Sequence, residues 1–166
     1  MTSTPGLAAR VITLLRERGE TVATAESLTG GRLAAALTAV PGASKNYVGG
    51  VVAYATSVKE ELLGVSPELV ERYGVISAEC ALAMARGAAA VTGASWGIAT
   101  TGVAGPDEQD GQSVGTVYLG LAFGDKVRAI PITLTGDRAQ IRAQTVVHAL
   151  EAVSELMEST KPEIAE

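Results

Sequence analysis

Short runs of β-branched and small apolar residues alternate with helical periodicities along nearly the whole chain, and that alternation most narrows the fold. Leu7, Val11, Leu14 and Leu15 recur at i, i+4, i+7 and i+8. They predict an amphipathic helix over 4–18, with Thr4 as N-cap, Pro5 at the first helical position and Gly19 at its end. Thr21–Ala25 reads as a short buried strand, followed by a turn at Ser27–Gly31 and an Ala/Leu helix over 32–39. Tyr47–Ala55 predicts a second strand. Ser57 and Glu60 have capping-box spacing for a short helix. Ser66-Pro67 opens another helix ending before Gly74, and Ser77 caps a longer one running to about Val91. Trp96–Thr101 is a strand, and Gly102–Gly115 is a glycine-rich loop without periodicity. Val117–Phe123 and Val127–Leu134 are strands joined by a Gly124-Asp125 turn. Asp137 caps a last helix to about Met157, striped by Val146, Leu150, Val153 and Met157. The polar tail Glu158–Glu166 is expected to fray.

Strands interleaved with helices and closing on an antiparallel hairpin predict an α/β fold. The expectation is three layers, α/β/α, around a mixed, mostly parallel sheet. Residues 1–166 are expected to form a single domain with its core at about 7–157. Abundant alanine and 19 glycines against 4% aromatic residues imply close approach of backbones in the core.

Charge and cysteine content exclude several functions. The balance of 13 basic and 18 acidic residues, a net −5, gives no global basic footprint for nucleic acid or anionic lipid. One cysteine, Cys80, excludes an intrachain disulfide or a Cys-rich zinc site. The longest apolar stretches, such as Leu33–Val40, are too short to span a bilayer. Arg10, Arg16, Glu17 and Arg18 argue against a secretory signal, so a cytoplasmic location is expected.

Four segments break from structural punctuation. In Glu26-Ser27-Leu28-Thr29-Gly30-Gly31, a serine falls at a strand-to-helix junction, where open α/β sheets place ligands. The N–H groups at Gly30 and Gly31 can face an anion or oxyanion, although Ser27 or Thr29 can equally cap the next helix. In the second segment, Tyr54 to Lys59, the lysine falls in the first turn of a helix if Ser57 is the cap. The helix dipole and partial burial both lower a lysine pKa there, and a neutral lysine is the base a serine nucleophile needs. A solvated helix lysine is the plainer reading. His148, the only histidine, falls off the apolar stripe and reads as a surface residue, and Cys80 as a core residue.

The third segment, Thr100-Thr101-Gly102-Val103-Ala104-Gly105-Pro106-Asp107, is a ligand cradle or an ordinary turn. Asp107, Glu108 and Asp110 fail the spacing of a calcium loop and read as a solvated acidic segment, so no metal site is expected. Finally, Arg138 and Arg142 share one face at a helix N-terminus. They suit either a phosphate or a plain charged helix start.

In this order, the Thr24–Gly31 motif, Tyr54, Lys59, Gly74-Val75-Ile76-Ser77, Thr101–Pro106, Gly115-Thr116-Val117 and Gly136-Asp137-Arg138 resemble the CinA C-terminal domain family. The resemblance covers roughly 7–157. It implies the family's stand-alone activity, hydrolysis of the carboxamide of nicotinamide mononucleotide to nicotinate mononucleotide and ammonia. That reaction serves pyridine-nucleotide recycling and uses a serine–lysine mechanism with no metal or cofactor. Longer relatives carry an N-terminal molybdopterin-binding-like domain, for which 166 residues are expected to leave no room. Carried over, Ser27 is the nucleophile, Lys59 the base and Tyr54 a helper in proton transfer or positioning. Thr29, Gly30, Gly31, Thr101, Gly102, Gly105, Arg138 and Arg142 are the expected substrate-binding residues. Glu26 is a charge-balancing or structural carboxylate. The implied partners are a small nucleotide substrate and a second copy in a homodimer or higher homo-oligomer, with no nucleic acid and no membrane. A catalytically silent nucleotide-binding module and a structural oligomerisation domain remain the other two classes.

Overall fold

The computed structural model describes residues 3–162 and has six α-helices and five strands among them. The elements run α1 (Thr4–Arg18), β1 (Val22–Glu26), α2 (Arg32–Thr38), β2 (Tyr47–Val52), α3 (Thr56–Leu63), α4 (Pro67–Tyr73) and α5 (Ala78–Thr92). Then follow β3 (Trp96–Gly102), β4 (Thr116–Phe123), β5 (Lys126–Thr133) and α6 (Arg138–Ser159). The sheet order is β2-β1-β3-β4-β5. β1 pairs in parallel with β2 and β3, while β4 and β5 close the sheet antiparallel. The α/β class and the mixed sheet are as expected.

Two apolar cores explain the composition. Alternate strand residues point to opposite faces. One face carries Val22, Trp96, Ile98, Leu119, Leu121 and Phe123, under α1, α2 and α6. The other carries Ala23, Ala25, Ala99 and Ala122, under α3, α4 and α5. On this small-residue face α5 lies almost in backbone contact with the sheet. A Cβ at Gly97 would sit 2.0 Å from the Ala85 carbonyl oxygen, and one at Gly120 would sit 2.1 Å from that of Ala81. No side chain fits there. The alanine and glycine content is the price of that approach.

Helix ends follow the capping chemistry with two exceptions. Ser66, Ser77 and Asp137 accept from backbone N–H groups as N-caps, and Asp137 forms a capping box with Gln140. Ser3, not Thr4, caps α1. Ser57 caps nothing. The cap position of α3 is Ala55, so Ser57 is the second helical residue and Lys59 the fourth. The tail starts anchored rather than frayed: the Arg18 guanidinium donates to the carbonyls of Met157 (2.8 Å), Thr160 (2.7 Å) and Lys161 (3.1 Å). Residues 163–166 of the expected frayed segment lie outside the described residues. No helix among the described residues is long and apolar enough to cross a membrane.

The topology selects one edge. β1 leads through α2 to β2 on one side, and β2 returns through α3–α5 to β3 on the other, so the chain changes direction across β1. Ligands bind at such switch points, outside the carboxyl ends of the strands. Ser27, Tyr54 and Thr101 all lie at that edge.

Candidate active site

Ser27 leaves the end of β1, and its N–H donates to the Thr100 carbonyl (3.0 Å), which ties it to β3. Lys59 reaches it from α3. The lysine is 2% exposed, and its Nζ lies 3.1 Å from Ser27 Oγ. The same nitrogen donates to the carbonyls of Ala53 (2.7 Å) and Tyr54 (3.2 Å). Among the described residues no carboxylate forms an ion pair with it. Burial pushes the Lys59 pKa down, and the nearby Cys80 thiol opposes this in part. With Lys59 four residues into α3, burial accounts for this shift more directly than a first-turn dipole.

This geometry suits a neutral amine. Its two N–H bonds can serve the two carbonyls, leaving the lone pair in the direction of the Ser27 hydroxyl. Proton transfer from Oγ to Nζ then needs no rearrangement.

A cleft of about 140 Å³ opens over this pair. Of the residues expected from sequence, Ser27, Tyr54, Lys59, Thr101, Gly102, Gly105 and Arg138 line it. The Thr101 hydroxyl donates to the Val75 carbonyl (2.6 Å), which fastens the loop before α5 to the strand end. The Tyr54 phenol does not touch the Ser27–Lys59 pair. It is 64% exposed and accepts from Arg138 (3.2 Å), whose other nitrogen donates to the Gly105 carbonyl (2.6 Å). Arg138 therefore bridges two walls of the cleft.

Thr29, Gly30, Gly31 and Arg142 stand outside it. The Thr29 hydroxyl is buried between Glu26 Oε1 (2.6 Å) and Thr100 Oγ1 (2.8 Å). Gly30 has its N–H turned in to the Ser27 carbonyl (3.1 Å), and Gly31 occupies the N-cap position of α2 with φ +100°. Arg142 donates to the carbonyls of Leu28 (2.8 Å) and Thr29 (3.4 Å) rather than facing the cleft with Arg138.

The start of α2 is closed by a carboxylate. Glu26, 1% exposed, accepts from the N–H groups of Leu33 (2.8 Å) and Ala34 (3.0 Å). Neither Ser27 nor Thr29 caps this helix. Its dipole is already matched by Glu26, so the helix start is no free anion site.

Leu28, Thr56, Val75, Ile76, Val103, Ala104, Asp107 and Gln109 complete the lining. Gln109 carried no motif signal, and Thr56 lies within the Tyr54 to Lys59 segment with no role assigned to it there. Val75 and Ile76 lie in the loop between two capped helices, within the Gly74-Val75-Ile76-Ser77 motif that carries part of the resemblance. His148 is on the surface, 4.0 Å from Glu151, and Cys80 is buried in the small-residue core. Among the described residues no three His, Cys, Asp or Glu side chains converge as a metal site.

Comparisons with known proteins agree with this architecture. A CinA-like protein of Frankia casuarinae is 48% identical over 147 residues, covering 89% of this chain and 34% of its own length. A CinA-like protein of Synechocystis is 54% identical over 117 residues, or 70% of this chain and 28% of its own. The chain thus spans about a third of the length of the curated relatives it matches. Among solved structures, a CinA superfamily protein from Klebsiella pneumoniae superimposes with TM-score 0.92 at 34% identity, covering 95% of this chain and 99% of that one. One from Escherichia coli gives TM-score 0.89 at 32% identity, covering 95% and 91%. Residues 5–157 match the profile of the CinA C-terminal domain. With Ser27 and Lys59 facing each other at the sheet edge of that fold, the chain belongs to the CinA C-terminal domain family.

Proposed function

We propose that the chain is an amidohydrolase that converts nicotinamide mononucleotide to nicotinate mononucleotide and ammonia, with Ser27 as nucleophile and Lys59 as base. One observation carries the reading: a buried lysine with no carboxylate partner among the described residues has its Nζ 3.1 Å from a serine hydroxyl in a cleft. A lysine held for charge alone gains nothing from that burial, because burial penalises its charged form.

Lys59 takes the Ser27 proton as Oγ bonds to the carboxamide carbon, and the carbonyl π pair moves to oxygen. The oxyanion collapses, the C–N bond breaks and Lys59 returns the proton to the leaving nitrogen, releasing ammonia. Water then attacks the Ser27 ester by the same route, restoring the hydroxyl and releasing nicotinate mononucleotide. The cationic pyridinium ring favours a neutral Lys59 and makes its carboxamide more electrophilic. Arg138, the guanidinium in the cleft wall, is the group assigned to the phosphate.

Ammonia release from nicotinamide mononucleotide by the purified protein tests the proposal, and the activity is expected to survive chelator treatment. Binding without turnover would instead make the chain a nucleotide-binding module.

The activity should also rise with pH. The lowered pKa of Lys59 places the acidic limb of kcat/KM below 10.5, the ordinary lysine value. Between the folded-state pKa and that value the unfolded chain binds more protons, so stability also rises with pH across this window. An acidic limb of kcat/KM at or above 10.5 would remove Lys59 as the base.

A homodimer is the assembly proposed, the two-fold dimer being the commonest form of soluble oligomer. Light scattering should report twice the chain mass of 16.9 kDa. A single-chain mass at working concentration would refute this.

A further inference from the structure

α6 packs on β3 and β4, and a groove stays open between it and the last strand, β5. Antiparallel partners share a face of the sheet. Lys126, Arg128 and Ile130 therefore stand beside Phe123, Leu121 and Leu119, on the side that α6 covers elsewhere. The groove holds about 530 Å³, with Leu119, Ile130 and Ile132 as its floor and Ala152 and Leu156 on its helical wall. Past Arg128 and Leu156 it runs on into a second stretch of about 310 Å³, floored by Leu121 and Phe123. Ile130, Ile132, Ala152 and Leu156 are only half-buried. A continuous apolar strip of this kind, rimmed by charge, marks an interaction surface.

The two banks carry opposite charges. Lys126 and Arg128 stand on the strand side, and Glu151 and Glu155 on the helix side. Arg128, Glu151 and Glu155 line the same stretch, so they lie at one level along the groove. Among the described residues, neither Arg128 nor Glu155 forms an ion pair within the chain.

This pattern is complementary to its own image. A two-fold axis along the groove seats α6 of each copy over the bare β5 of the other. It also brings Arg128 of each copy onto Glu155 of the other. An axis across the groove would instead set helix on helix and Arg128 on Arg128, so shape and charge select the first. Extension of the sheet edge to edge is blocked, because Pro131 in β5 has no N–H to donate to a further strand.

Resting on the homodimer proposed above, we infer that two copies meet face to face through the α6–β5 groove, each α6 covering the β5 of the other. The groove shares no lining residue with the cleft over Ser27 and Lys59. Assembly and ammonia release are therefore separate readouts.

Sedimentation equilibrium on the full chain tests the assignment through the dimer dissociation constant. Arg128→Glu and Glu155→Arg should each raise it about tenfold or more, since each change sets like charges together twice per dimer. Both residues are exposed, so neither change disturbs the core. The double variant exchanges the banks and should return the constant to within about threefold of the wild type. A dimer insensitive to the reversals, or a double variant no tighter than the single ones, would overturn the interface and leave the groove to another occupant. A wild-type chain that sediments at 16.9 kDa would overturn the dimer and this surface together.

Discussion

On the amidohydrolase reading, Ser27→Ala is expected to lower kcat by about 10⁴-fold or more while nicotinamide mononucleotide still binds, the phosphate being assigned to Arg138. Lys59→Ala should be nearly as damaging. The double variant should be little worse than either single one, since groups acting as one unit are not additive. Their hydroxyl and amine are 3.1 Å apart, and in the proposed mechanism each needs the other. Steady-state kinetics on the three variants, with calorimetric binding, checks this. Losses that multiply in the double variant would show two independent contributions.

Glu26→Ala should produce the largest loss of stability among the site variants. Its carboxylate accepts from the Thr29 hydroxyl and from Leu33 and Ala34 N–H. Removing it strands the N–H of the fully buried Leu33 and of the half-buried Ala34, while the Thr29 hydroxyl keeps Thr100 as a partner. Hydrogen bonds to a charged acceptor contribute about 1.5–3 kcal/mol each, and stranded buried groups cost comparably. With partial relaxation, a loss of about 3–5 kcal/mol is expected, or about 8–15 °C in Tm for a chain of this size. Activity should fall with it, because the same residue anchors the turn that carries Ser27. Chemical denaturation measures the first effect, and an unchanged midpoint would mean that water satisfies the stranded donors.

Local chemistry made much of the fold legible. Ser66, Ser77 and Asp137 were readable as caps because a cap's hydrogen bond closes within three residues. The hairpin turn at Gly124-Asp125 was readable for the same reason. Ser57 misled because Ser-x-x-Glu spacing specifies a cap only where the chain enters the helix at the serine, and here it enters at Ala55. Glu26 could not be read as the cap of α2, since its acceptors' partners lie seven and eight residues away across a turn. Arg142 escaped for a related reason. Its i, i+4 spacing to Arg138 places both on one helical face, yet the Leu28 carbonyl lies 114 residues away in sequence. Likewise, Arg18 fastens the tail across 139 residues or more. Residue type announced the serine and the lysine; only the packing of β1 against β2 and β3 put them in contact.

The nature of the base is the point on which the whole account turns, and Lys59→Arg probes it directly. Arginine keeps a positive charge and a long side chain, but a guanidinium does not lose its proton near neutral pH. Ammonia release from nicotinamide mononucleotide should therefore fall in Lys59→Arg to the level of Lys59→Ala. Near wild-type release by Lys59→Arg would contradict the account: Lys59 would then be a positioning charge, and the proton of Ser27 would have to leave through Tyr54 or a bound water.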